Sequence, residues 1–116
     1  MFRRKKGADK LGYYSCGISS KILKAGELTK VKINGQVLNL TRVNDEIVAF
    51  GDTCPHGAAS LAKGSLSGYK ISCPDHGYCF DIRSGHVLWP EDESYRLNLY
   101  AVKVEDGEIK IRIGQI

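Results

Sequence analysis

Short runs of alternating apolar and polar residues, separated by tight-turn dipeptides, make up most of this chain. Leu28 to Ile33 alternates up to Asn34-Gly35, a strong signal for a two-residue hairpin turn. Gln36 to Val43 returns, Asn44-Asp45 turns again, and Glu46 to Phe50 completes a three-stranded meander. Tyr13 to Cys16 reads as an edge strand, and Ser19 to Lys24 as one helical turn. Near the C-terminus, Tyr95 to Glu105, Asp106-Gly107 and Glu108 to Ile113 read as a second hairpin. Its residues Ile109, Ile111 and Ile113 fall on one face at period two.

The middle of the chain has a different texture. Between Cys54 and Trp89 it carries Gly57, Gly64, Gly68, Gly77 and Gly85 together with Pro55 and Pro74. Only short strands fit there, at Tyr69 to Ser72, Tyr78 to Asp81 and His86 to Leu88, with Ser84-Gly85 as a turn. The pattern predicts a small all-β domain interrupted by a loop-rich insertion.

At 116 residues the chain is long enough for one domain with a modest core. Its 42% apolar and 26% charged residues are ordinary for a soluble globular protein. No apolar run is long enough to span a bilayer. The start, Met1 to Lys6, is basic but lacks the apolar stretch of a secretory signal, so the expected location is the cytoplasm, with no membrane partner. The formal charge of +4 is concentrated in Arg3, Arg4, Lys5, Lys6 and Lys10. Residues 1–12 therefore read as a basic, flexible tail and 13–116 as a single domain. Later charges are mixed in sign and no aromatic residue beyond Phe2 interleaves with the basic cluster, so nucleic acid is not an expected partner.

Four cysteines in a short chain are compatible with two disulfides, but that reading requires an oxidising compartment. It also leaves unexplained the two strings Cys54-Pro55-His56-Gly57 and Cys73-Pro74-Asp75-His76-Gly77. Together they read C-x-H, a gap of 16 residues, then C-x-x-H, each half supplying one thiolate and one imidazole. Two sets of chemistry use two Cys and two His. One is a tetrahedral structural zinc ion, which would make the chain a zinc-stabilised interaction domain. The other is a two-iron cluster with one sulfur-bound and one nitrogen-bound iron. The wide glycine-rich loops and flanking prolines favour the cluster. Cys16 and Cys79 lie outside the motif and read as small packing residues, and His86 as a strand-surface residue.

Over Tyr13 to Ile113, and most strongly over Cys54 to Gly85, the chain resembles the Rieske [2Fe–2S] family. The companions of the motif recur in order: Pro55, Gly57-Ala58, Gly64, Cys73-Pro74, His76-Gly77, Phe80-Asp81 and Gly85. The resemblance implies a β-sandwich base with a small cluster-binding subdomain at about residues 52–89. It further implies one [2Fe–2S] cluster per chain, with Cys54 and Cys73 on one iron and His56 and His76 on the other. Pro90 stands where the family places a proline-containing stretch that shields the cluster. High-potential members of the cytochrome bc type carry two further cysteines joined as a disulfide, where this chain has Ala59 and Asp75. They also carry serine and tyrosine hydroxyl donors at the positions held here by Tyr78 and Phe80. The resemblance therefore implies the low-potential, ferredoxin-like branch, near the bottom of the family range of about −150 to +300 mV.

The expected function is one-electron transfer by a monomeric carrier, from a flavin-dependent reductase to an oxygenase or similar acceptor. An oxygenase adds a mononuclear iron site with two further histidines and a carboxylate, and this chain has three histidines in all. No catalytic residue is therefore expected. The alternative within the family is an electron-transfer subunit of a larger enzyme, of the kind found in assimilatory nitrite reductase.

Overall fold

A computed structural model of the protein describes residues 7–113; the basic cluster Arg3 to Lys6, expected as part of a tail, lies outside them. Eleven short strands follow one another: β1 (Tyr13–Ser19), β2 (Thr29–Ile33), β3 (Gln36–Val43), β4 (Glu46–Gly51), β5 (Ser65–Ser67), β6 (Lys70–Ser72), β7 (Cys79–Asp81), β8 (Val87–Trp89), β9 (Leu99–Tyr100), β10 (Val102–Glu105) and β11 (Glu108–Arg112). They form three antiparallel sheets, in the orders β1-β11-β10, β2-β3-β4-β9 and β5-β6-β7-β8. Among the described residues no helix is long and apolar enough to cross a membrane.

Turn chemistry sets the registers of the base. Asn34-Gly35, Asn44-Asp45 and Asp106-Gly107 all have positive φ at both positions, the backbone that two-residue hairpins require. The turns fix the pairs Ile33↔Gln36, Val43↔Glu46 and Glu105↔Glu108. In these registers Leu38 and Leu40 of β3, Ile33, Ala49, Ile109 and Ile111 point into one core between the first two sheets.

The β2-β3-β4-β9 sheet is buried on its other face as well. Val48 and Phe50 of β4 join Leu61, Ile71, Phe80, Ile82 and Leu97 in a second core beneath the small third sheet. On β3 the alternation puts Asn39 and Thr41 on that second face, both fully buried. Next to them Asp52 is buried but well provided with donors. It accepts from Asn39 Nδ2 (2.9 Å), Ser60 Oγ (2.8 Å) and the Ala62 N–H (3.0 Å), and faces Lys30 Nζ at 3.3 Å. Asp52 thereby ties the segment after β4 to the base.

Two expectations are corrected. Ser19 to Lys24 is not a helical turn. β1 runs on to Ser19, a single reverse turn closes with the Ile22 N–H on the Ser19 carbonyl (3.2 Å), and Ala25 then bridges in parallel to Arg42. The Arg42 guanidinium donates to the Leu23 (2.9 Å) and Ser20 carbonyls, occupying acceptors that a helix would have used. Tyr95 to Glu105 is not one strand either. Leu99–Tyr100 pairs with β4, the chain changes sheet at Ala101, and Val102–Glu105 pairs with β11. The preceding residues serve long-range partners instead: the Leu97 N–H bonds the Gly85 carbonyl (2.9 Å), and the Gly51 N–H bonds the Asn98 carbonyl (2.9 Å). The strand β5 and the single 3-10 turn Leu61–Lys63 carried no periodic signal.

Burial raises the proton affinity of Asp52, but the bonds from Asn39, Ser60, Ala62 and Lys30 outweigh it and hold the carboxyl below its ordinary 3.8. A lowered folded value adds stability that is complete above the unfolded value and vanishes as the pH falls through the folded one. Asp52→Asn is expected to cost about 1–3 kcal/mol in denaturant unfolding at neutral pH. The same variant is expected to lose less stability than the wild-type protein on acidification below about pH 4.

Candidate metal centre

Two loops carry the Cys/His strings, one between β4 and β5 and one between β6 and β7, and their backbones are built alike. The Cys54 N–H bonds the Ala59 carbonyl (2.9 Å), and the Cys73 N–H bonds the Tyr78 carbonyl (2.7 Å), so each loop is closed across the same span of residues. A proline follows each cysteine and fixes the backbone at the start of each loop. The second loop joins β6 to β7, and Ser72↔Cys79 is the last pair before it opens. His76 and Gly77, at φ of 63° and 70°, reverse its direction. A non-glycine residue held in that region is uncommon outside tight turns.

The loops meet because one glycine lets them. A Cβ on Gly64 would stand 1.9 Å from the Ser72 carbonyl oxygen, so only hydrogen fits between the segment after the first loop and the strand before the second. Gly85 plays the same part against the Leu97 carbonyl, at 2.8 Å and with φ of 81°.

The structure brings the four residues that the sequence singled out together as two pairs. The Cys54 and Cys73 side chains are buried in the second core, side by side. The imidazoles lie further out: His56 is half-buried, His76 is exposed, and their ring centroids are 5.3 Å apart at 87°. His56 Nδ1 is buried with no hydrogen-bond partner, which is costly for a nitrogen lone pair unless a ligand takes it. Burial, then the adjacent Cys54 thiol, pushes the Cys73 thiol up to about 11, while the Asp75 backbone N–H pulls the other way and the Asp75 charge adds to the rise. A thiol raised in this way keeps its proton until a strongly bound cation displaces it.

The donors fall into two pairs, two thiols and two imidazoles. A tetrahedral ion needs ligands converging on one point. Among the described residues no three His, Cys, Asp or Glu side chains do so. Two thiols inside and two imidazoles outside fit a centre of two metal atoms, one bound through sulfur and the other through nitrogen.

The remaining singled-out residues lie apart from this group. Cys16 is buried in the core of the base, and Cys79 is half-buried, its Sγ 3.3 Å from Ser72 Oγ and from the Gly77 carbonyl. None of the four cysteines is in a disulfide. His86 is exposed, its strand partner being Arg96. Sequence reasoning missed the aromatic surroundings of His56. The Tyr78 ring stacks on it at 3.8 Å and 14°, and Tyr95 meets its edge at 5.8 Å. Nothing in the sequence spacing ties Tyr95 to His56. Trp89 is 54% exposed, and its ring lies 6.3 Å from that of Tyr78 at 73°.

A family model described as the Rieske [2Fe–2S] domain matches residues 14–107. The ferredoxin component of the p-cumate 2,3-dioxygenase system of Pseudomonas putida is 42% identical over 91 residues, covering 77% of this chain and 76% of that protein. Apoptosis-inducing factor 3 of Mus musculus is 37% identical over 96 residues, covering 82% of this chain but only 16% of that longer protein. Among solved structures, one chain of a complex of reduced oxygenase and oxidised ferredoxin in carbazole 1,9a-dioxygenase superposes with a TM-score of 0.81. It is 29% identical and covers 90% of this chain and 96% of that one.

Gly64→Ala is expected to drive the two loops apart. The variant should lose roughly 3 kcal/mol or more of stability and should not retain bound iron, as read by thermal unfolding and metal analysis of the purified protein.

Proposed function

This chain belongs to the Rieske [2Fe–2S] family, and from that premise we propose which of its residues hold the cluster and which proteins it serves. As a family member similar to ferredoxin components, it carries one [2Fe–2S] cluster and moves electrons instead of catalysing a reaction. Cys54 and Cys73 hold one iron and His56 and His76 the other, within a cluster-binding subdomain at about residues 52–89. The carrying observation is the nested pairing of two buried thiols with two outer imidazoles on two equivalently closed loops. When bound, the cluster takes up and releases one electron without making or breaking a bond to substrate.

The protein's own residues divide that task. Phe50, Leu61, Ile71, Phe80 and Ile82 surround the thiols and keep water from the sulfur side. The His76 ring reaches solvent, which gives a partner the shortest approach through protein. The relatives support an oxygenase as acceptor: one belongs to a dioxygenase system, and a neighbour in structure was solved with an oxygenase. We propose an oxygenase acceptor for this chain, a flavin-dependent reductase as its donor, and the cytoplasm, where thiols stay reduced, as its place of work.

Its potential lies low in the family range. The positions of the further disulfide hold Ala59 and Asp75, and no disulfide is present. The Tyr78 hydroxyl donates to Glu93 Oε1 at 3.3 Å, so it is engaged away from the sulfurs, and Phe80 has no donor. The Asp75 charge, which already opposes ionisation of Cys73, opposes the added electron in the same way.

Protein purified without oxygen is expected to contain two irons and two acid-labile sulfides per chain and to give a Rieske electron paramagnetic resonance signal after dithionite reduction. Stoichiometric zinc without sulfide would overturn the ligand assignment. The midpoint is expected between about −150 and 0 mV, and a value above about +150 mV would contradict the low-potential reading. Asp75→Asn is expected to raise it by some tens of millivolts, the order of one partly screened charge at close range.

A further inference from the structure

We infer that Tyr78 is the positioning residue of the His56 ligand, a ring clamp that fixes the plane of this imidazole and shields it from water, so that the two histidines are chemically unequal. The inference rests on the ligand assignment proposed above. Tyr78 lies flat on His56, with centroids 3.8 Å apart and planes 14° from parallel. Tyr95 closes the edge, meeting His56 at 82° and 5.8 Å and Tyr78 at 70° and 5.9 Å. Trp89 stands edge-on behind Tyr78, and Glu93 accepts the Tyr78 hydroxyl proton at 3.3 Å. His76, in contrast, is exposed, and its ring stands at 87° to that of His56.

The clamp crosses between the loops. Tyr78 is the residue whose carbonyl closes the second loop through the Cys73 N–H, yet its ring holds a histidine of the first. An imidazole on a half-buried loop keeps rotational freedom about its Cβ–Cγ bond. Parallel stacking with an edge-on ring beside it removes that freedom, and leaves Nδ1 aimed inward, buried and free of hydrogen bonds. The plane of a ligating imidazole governs how its lone pair overlaps the metal. A residue that fixes this plane is therefore read out in the nitrogen hyperfine coupling of the reduced centre, and its shielding in the exchange of nearby protons with solvent.

The chain with its cluster serves as the test, as wild type, Tyr78→Phe and Tyr78→Leu. Pulsed electron paramagnetic resonance of the reduced protein records nitrogen couplings and, in deuterium oxide, nearby exchangeable deuterons. The wild-type protein is expected to show two unequal imidazole couplings. Tyr78→Phe keeps the ring and should reproduce both. Tyr78→Leu keeps apolar bulk without the stack; one coupling should shift and broaden while the other stays, and the deuterium modulation should deepen. Unchanged couplings and modulation in Tyr78→Leu would overturn the clamp. Fewer than two imidazole couplings in the wild type would instead overturn the ligand assignment. Should Tyr78→Leu lose its iron, Tyr95→Leu decides: removing the edge-on ring must shift the same coupling, and an unshifted spectrum overturns the inference.

Discussion

Two thiols buried side by side in an apolar core are the constraint on which the rest of this structure depends. Burial together with the neighbouring Cys54 thiol pushes Cys73 up to about 11 there. Only a cation that binds thiolate strongly makes the arrangement favourable, which couples the metal centre to folding. Bringing the thiols together demands that segments far apart in sequence touch closely. Gly64 against the Ser72 carbonyl meets that demand on one side, and the Asp52 hydrogen bonds to Asn39, Ser60 and Ala62 meet it on the other. The β2-β3-β4-β9 sheet is therefore buried on both faces, one against the base and one against the thiols.

Outside the thiols the balance changes from packing to exposure. The histidines sit where the subdomain meets solvent, but not equally: His56 is enclosed by Tyr78 and Tyr95, and His76 is open. An electron carrier needs such a gradient. The sulfur side benefits from dryness, which preserves the centre, while one nitrogen side must come within reach of another protein. Glu91, Asp92 and Glu93 are exposed, and Glu93 reaches the site by holding the hydroxyl of Tyr78.

The parts of the fold legible in the sequence were the local ones. The hairpins at Asn34-Gly35, Asn44-Asp45 and Asp106-Gly107 need only two residues of positive φ between alternating runs. The two Cys/His strings stood out for a related reason, since each loop carries its thiol and imidazole within a few residues. Where the sequence misled, a distant partner had claimed the backbone. Arg42 took the carbonyls that a helical turn at Ser19 to Lys24 required, and Gly51 and Gly85 drew Leu97 and Asn98 out of a continuous strand.

Residue types and spacings alone thus pointed to an all-β frame and to two mixed Cys/His pairs. They did so because ligand identity and turn preference are properties of a few adjacent residues. Tertiary structure alone decided that the two thiols are dry while His76 is open to solvent. It also buried Asn39 and Thr41 on a face that alternation assigns to solvent, and laid a tyrosine of one loop on the histidine of the other. Those outcomes depend on the packing of segments that no local pattern relates, and packing is settled by the whole chain at once.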